Sequence, residues 1–163
     1  MNFEVLGRDH LKKSFVCESE LLTKYLHEQA SQDMRKKLAV CFVCCNELKE
    51  VLGYYNLSSA SLGNHQIPDS FKQKLPQNYQ APVILLGRLA RHIASKGQGL
   101  GELLLLDALF RSFELSNKSI GAMAVLVDPI DAKAAHFYAA YGFEKLPESN
   151  SMVLSMKTIA KLL

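Results

Sequence analysis

The chain has 163 residues, 48% of them hydrophobic, and a formal net charge of +3. That length and composition suit one packed domain spanning 1–163 and exclude a disordered chain. So small a charge excess defines no nucleic-acid binder, although it leaves room for a local basic face. No apolar run reaches the roughly 18 residues that cross a bilayer, and the N-terminus lacks a signal-peptide pattern, so a cytoplasmic protein that makes no membrane contact is expected.

In chain order, residues 3–6 (FEVL) read as a strand. Residues 18–31 carry Leu21, Leu22, Tyr25, Leu26 and Ala30 at helical spacing. A strand is predicted at 37–45, a polar turn at 46–50 and a partner strand at 51–59. Residues 60–81 read as a polar loop, 82–92 as a long apolar strand, 99–116 as a helix and 120–127 as another strand. Asp131 is a candidate N-cap for a short helix over 131–141. Strands at 143–146 and 152–156 and a short helix close the chain. Alternation of strands and helices in the second half predicts a mixed sheet with helices on both faces.

The four cysteines are Cys17, Cys41, Cys44 and Cys45. Cys41 to Cys44 forms a CxxC, yet no second ligand pair stands at a metal-like spacing. The run KLAVCFVCC reads as a buried strand, whose neighbouring side chains point to opposite faces. Buried hydrophobes are expected there, with no metal. Cys17 falls in the N-terminal helix region and is expected to be structural.

Lys96-Gly97-Gln98-Gly99-Leu100-Gly101 lies between a predicted strand and a predicted helix, with no acidic residue from Pro82 to Gly101. A helix N-terminus leaves backbone N–H groups unpaired and partly positive. Glycines let a phosphate approach them, and Lys96 adds a full charge. The segment reads either as a pyrophosphate cradle or as a flexible connection. It is not a Walker loop, because no Gly-Lys-Ser/Thr follows. The early position and following acid of a Rossmann fingerprint are also missing.

RLARHIASKGQGLGELLLLDAL, residues 88–109, resembles the acetyl-CoA-binding segment of the GNAT-family N-acetyltransferases, written Gln/Arg-x-x-Gly-x-Gly/Ala. Here Lys96 takes the first position. AAHFYAAYGF, residues 134–143, resembles the family's Phe-Tyr-x-x-x-Gly-Phe helix, with the strand IGAMAVLVDP between the two. FVCESELLTKYLHEQASQD (15–33), VLGYYNLSSASL (51–62), PVILLGRLA (82–90), GQGLGELLLLDAL (97–109) and FYAAYGFEKLP (137–147) are similar to the TacT-like toxins of type II toxin–antitoxin systems, in the same order. Where that group reads R-L-A-V-D, this chain reads Arg88-Leu89-Ala90-Arg91-His92.

The resemblance implies an α/β (α+β) GNAT fold with a mixed, mostly antiparallel sheet. It implies acetyl-CoA as cosubstrate, bound at Leu89, Ala90 and Arg91 by backbone and along Lys96, Gly97, Gln98, Gly99, Leu100 and Gly101. The implied acceptor is the α-amino group of aminoacyl-tRNA, whose acetylation stops translation. A ribbon-helix-helix antitoxin is the implied partner, and a homodimer is allowed for. Tyr138 takes the acid role toward the leaving thiolate; periodicity alone would make it a core aromatic. Tyr141 is assigned to packing. His92 and His136 are weighed as general bases and set aside, the latter facing away from Tyr138 at a two-residue helical offset. Candidate tRNA contacts are Arg88, Arg91, Arg35, Lys36 and Lys37, with Lys12 and Lys13 beyond them; the Arg35–Lys37 run also reads as a solvated helix end. Acetylation of small amines or protein N-termini, and a catalytically inactive subunit binding CoA or antitoxin, are the alternatives.

Overall fold

A computed structural model describes residues 1–72 and 75–163; Gln73 and Lys74, within the predicted loop 60–81, lie outside the described residues. The strands are β1 (Asn2–Val5), β2 (Val40–Cys45), β3 (Val51–Leu62), β4 (Ala81–Arg91), β5 (Ala124–Val127), β6 (Glu144–Lys145) and β7 (Met152–Ser155). They form one sheet in the order β1-β2-β3-β4-β5-β7-β6. β1–β2, β2–β3, β5–β7 and β6–β7 pair antiparallel, and β4–β5 pair parallel. The helices are α1 (Glu20–Lys24), α2 (Ala30–Arg35), α3 (Asp69–Lys72), α4 (Leu100–Lys118), α5 (Ala132–Ala139) and α6 (Met156–Leu162). α4 is the crossover that a parallel β4–β5 pair requires. Among the described residues no helix is long and apolar enough to cross a membrane.

Two compact units divide the chain. The first joins Met1–Ser58 with Gly87–Ala108. Within it, β3 carries helices on both faces. The Tyr54 hydroxyl donates to the Leu22 carbonyl of α1 at 2.6 Å, while the Tyr55 hydroxyl donates to the Asp107 carboxylate of α4 at 2.5 Å. Gly53 lets α4 pack closely, since a Cβ there would stand 2.7 Å from Leu104 and 3.1 Å from the Ala90 carbonyl. Leu6, Phe15, Leu22, Tyr25, Leu26, Val43 and Tyr54 belong to its core. Phe15 and Leu26, both fully buried, each contribute about 1.5–3 kcal/mol over exposure.

The second unit joins Ser59–Leu86 with Leu109–Leu163. Its core includes Leu62, Ile67, Phe71, Val83, Leu126 and Val153. All four residues of β5 are buried, as a strand covered on both faces must be. Asp131 caps α5 by accepting from the Ala134 N–H at 2.8 Å, as predicted.

Several predicted boundaries move, each for a local reason. The single helix over 18–31 is α1 and α2 joined by a wider π-helical turn, Tyr25–Gln29, and it runs on to Arg35. It stops where Lys37 takes φ +62°, with Leu38 N–H bonded to the Asp33 carbonyl at 2.9 Å. That turn uses residues 37–38, so β2 begins at Val40 rather than at 37. β3 extends to Leu62, and the predicted loop contains α3, anchored by buried Phe71. α4 continues through Lys118, with Ile120 N–H bonded back to the Leu115 carbonyl at 3.0 Å, so β5 starts only at Ala124.

Candidate active site

The glycine segment lies in the first unit. β4 ends at Leu89, buried Ala90 and Arg91. His92 N–H then bonds to the Leu52 carbonyl at 2.7 Å, and Ile93 N–H to the Val16 carbonyl at 2.8 Å. The His92 ring caps a short 3-10 turn, Ile93–Ser95. Its Nδ1 accepts from Ala94 N–H at 3.0 Å, which leaves Nε2 to donate to the Ser14 carbonyl at 3.1 Å. With both nitrogens engaged, His92 is a structural clamp rather than a base.

Past this turn the chain is exposed from Lys96 to Gly99 until Leu100 anchors the start of α4. Gly97 and Gly99 have φ of +80° and +76°, a region that other residues enter at a cost of roughly 1–2 kcal/mol. Gly101 has no such angle, and a Cβ on any of the three would meet nothing within 4 Å. Among the described residues the N–H groups of Gly97, Gly99, Leu100 and Gly101 have no protein acceptor. The loop therefore presents unpaired donors at a helix N-terminus on an open face.

The charge around it differs from the sequence expectation in one respect. The stretch lacks acids, but Glu18 arrives from the segment ahead of α1 and pairs with Arg91 at 3.1 Å and with Lys96 at 3.9 Å. These partly exposed pairs contribute only about 0–1 kcal/mol each. Arg88 has no carboxylate partner among the described residues, and its guanidinium lies 3.9 Å over the Tyr25 ring. Arg35, Lys36 and Lys37 are exposed at the end of α2, and Lys13 is exposed as well. Lys12 donates to Ser31 at 3.4 Å.

A buried polar chain beneath Arg88 was not foreseen. The Asn56 amide donates to the Tyr25 hydroxyl at 2.8 Å, which donates to the Asp33 carboxylate at 2.7 Å. Burial, then the Asp33 contact, push the Tyr25 phenol up to about 12. The one sequence signal was an asparagine inside the apolar run VLGYYNL.

Tyr138 lies in the second unit, on α5. The turn after α5 places it: Phe143 N–H bonds to the Tyr138 carbonyl at 3.3 Å, and Gly142 takes φ +97°. The Tyr138 ring packs edge-on against Phe137 and Phe143, both at 5.3 Å between centroids. The residue is only 8% exposed, and its hydroxyl has no protein partner among the described residues. Burial pushes the phenol up to about 12, which keeps its proton in place at neutral pH. Tyr141 packs on Phe137 at 5.5 Å, and His136 is exposed.

Cys17 lies ahead of α1 rather than within a helix, with its thiol donating to the Ser19 carbonyl at 3.2 Å. Cys41, Cys44 and Cys45 are buried in β2, and burial raises their thiols, Cys41 to about 12 and Cys44 to about 11. Glu4, His10 and Cys45 bring three ligand-type atoms within 4.8 Å of one another. Lys49 already stands there, 2.7 Å from Glu4. Gly7 N–H donates to His10 Nδ1 at 2.8 Å, which leaves the ring proton on Nε2 facing Glu4 at 2.7 Å.

A β4–α4–β5 unit with parallel strands, whose connecting loop offers bare N–H groups, is the architecture of the GNAT acyltransferases. No protein-family model matches the chain. A tRNA-acetylating toxin of Mycobacterium tuberculosis (strain ATCC 25618 / H37Rv) is 34% identical over 151 residues, 92% of this chain and 89% of its own length. The solved structure of AtaT complexed with acetyl-methionyl-tRNAfMet matches with a TM-score of 0.90 and 27% identity, over 99% of this chain and 98% of that one. A tyrosine-to-phenylalanine mutant of the toxin AtaT, bound to the C-terminus of the antitoxin AtaR and acetyl-CoA, matches with a TM-score of 0.84 and 25% identity, over 99% and 97%. The chain belongs to the family of tRNA-acetylating, TacT-like toxins.

Proposed function

We propose that this protein transfers the acetyl group of acetyl-CoA to the α-amino group of an aminoacyl-tRNA and thereby blocks translation, its 163 residues working as a single acetyltransferase domain. The observation that carries the reading is the set of N–H groups at Gly97, Gly99, Leu100 and Gly101 that have no protein acceptor among the described residues, in a chain 34% identical to a tRNA-acetylating toxin. The pyrophosphate lies against that set, with Lys96 beside it, while the backbone of Leu89, Ala90 and Arg91 holds the pantetheine arm and the acetyl carbonyl.

The amine lone pair attacks the thioester carbon, the C–S bond breaks, and the sulfur leaves with the electron pair. An α-amino group has a pKa of about 8, so a neutral fraction exists near pH 7 without a strong base. Two protons must then move: the Tyr138 hydroxyl gives its proton to the leaving sulfur, and the attacking nitrogen, cationic once bonded to carbon, releases one proton to water, from which the Tyr138 oxygen is reprotonated. Its buried phenol, with no competing acceptor among the described residues, supports that role.

Arg88, Arg35, Lys36 and Lys37 are assigned to tRNA phosphates, with Arg91 contributing once Glu18 yields. A ribbon-helix-helix antitoxin is the proposed protein partner, supported in kind by the antitoxin-bound neighbour; pairing with a second copy of the chain belongs to the same proposal. The protein acts in the cytoplasm, where charged tRNA is, and needs no metal.

Cell-free translation tests the reading. With acetyl-CoA present the protein should halt synthesis, and radiolabel from the acetyl group should move onto charged tRNA and not onto uncharged tRNA. Label that moves instead to small amines or protein N-termini would replace the acceptor. CoA binding without transfer would make the chain a binding subunit.

A further inference from the structure

Asn56 is 3% exposed on a strand whose neighbours are apolar, so its carboxamide needs an explanation. Its Nδ2 is engaged by the Tyr25 hydroxyl, and that hydroxyl is oriented by Asp33. The donor chain has one direction, Asn56 to Tyr25 to Asp33, and this fixes which end of the amide is oxygen. Among the described residues nothing donates to Asn56 Oδ1. That oxygen instead faces Gly87 on β4, where a Cβ would come within 2.7 Å of it. Glycine at 87 lets the oxygen come up close to the strand, where a methyl would crowd it, and its backbone needs no positive φ. At about 3.3 Å of rise per residue, Gly87 lies within about 7 Å of Leu89, where the acetyl group is assigned.

We propose that Asn56 Oδ1, beside Gly87, is the seat of the acceptor amine and accepts a hydrogen bond from the α-amino group of the aminoacyl end. The inference rests on the acetyl-transfer reading above and adds the residue that holds the nucleophile. Arg88, without a carboxylate partner among the described residues and stacked on Tyr25, adds a positive charge beside the seat, which favours the neutral amine over the ammonium. The other titratable groups around the seat leave that preference standing. The Asp33 carboxylate is engaged by Tyr25, while Tyr25 and Tyr54 are held neutral by burial. Cys41 is likewise held neutral by burial, and Cys17 donates to a carbonyl. Asn56 is a neutral acceptor, so it orients the amine without stabilising its protonated form.

The test is the pH dependence of single-turnover transfer to charged tRNA at saturating acetyl-CoA, for the parent, Asn56→Asp and Gly87→Ala. A carboxylate at the seat favours the ammonium, so Asn56→Asp should move the midpoint of the rate profile upward by about one pH unit or more. Gly87→Ala should lower kcat/KM for charged tRNA by about tenfold or more while the acetyl-CoA Kd stays within about twofold. A structural role for Asn56 would lower the melting temperature or the rate at every pH and leave the midpoint where it is. An unmoved midpoint in a folded Asn56→Asp protein overturns the proposal, as does a Gly87→Ala protein as fast as the parent. Should Asn56→Asp fail to fold, the Gly87→Ala result decides. A parent that does not acetylate charged tRNA overturns the acetyl-transfer reading and the seat together; an active parent with an unmoved midpoint overturns the seat alone.

Discussion

Tyr138 and Glu4 show how differently two protonation states are held. Tyr138 keeps its proton because burial disfavours the phenolate, and among the described residues no acceptor competes for it. Tyr138→Phe removes one hydroxyl from a ring that packs on Phe137 and Phe143. The fold and the acetyl-CoA affinity should persist, while single-turnover transfer falls by ~10²–10⁴-fold. A variant as fast as the parent would leave Tyr138 a packing residue. Glu4 behaves in the opposite way: Lys49, then His10 and Cys45, bond its carboxylate and pull it down to about 2. A folded pKa below the unfolded one stabilises the protein above the ordinary carboxylate range, and that stabilisation is lost as pH falls toward about 2. Acid unfolding of Glu4→Gln should therefore be flatter between about pH 4.5 and 2 than that of the parent. Parallel curves would remove Glu4 from the acid response. Neither environment could be read from composition, because Glu4 and Lys49 meet only through the pairing of β1 with β2.

At the scale of elements, the β4–α4 loop carries the cofactor reading, and its three glycines separate conformation from access. Gly101 has ordinary backbone angles and open space at the mouth of α4. Gly101→Ala should therefore raise thermal stability slightly, by up to about 1 kcal/mol, since alanine favours the helix. The same methyl projects where the pyrophosphate is assigned, so acetyl-CoA affinity should fall, and calorimetry reads both effects. Gly99→Asp should abolish binding outright, by adding an anion at a residue with φ +76°. Unchanged affinity in both variants would move the cofactor elsewhere. This element was legible in the sequence because its signal is local: an apolar run, glycines and a leucine-rich helix stand side by side in the chain, and Asp131 before α5 was legible for the same reason. The π-helical turn at Tyr25–Gln29 and the Lys37 stop were not, since periodicity cannot tell a widened turn from a regular one and lysine is an unusual residue at positive φ.

For the whole molecule, chain order made the alternation of strands and helices visible and therefore the class of sheet. What stayed hidden was long-range: Glu18 reaching Arg91 across 73 positions, and Asn56 meeting Tyr25 across 31. A net charge of +3 also says little about where RNA would lie. If exposed cations hold phosphates, tRNA affinity must fall steeply with salt. Neutralising Arg35 and Lys36 together should lower that salt slope by about one for each phosphate no longer held, and leave acetyl-CoA binding intact. Affinity that ignores salt would point away from RNA. The central claim concerns the bond that is made. Charged tRNA incubated with the protein and acetyl-CoA should, after nuclease digestion, yield a terminal aminoacyl-adenosine heavier by one acetyl group on its α-nitrogen, read by mass spectrometry, and free amino acid should be acetylated far more slowly. An unmodified aminoacyl-adenosine, or free amino acid acetylated as fast as charged tRNA, would contradict the account.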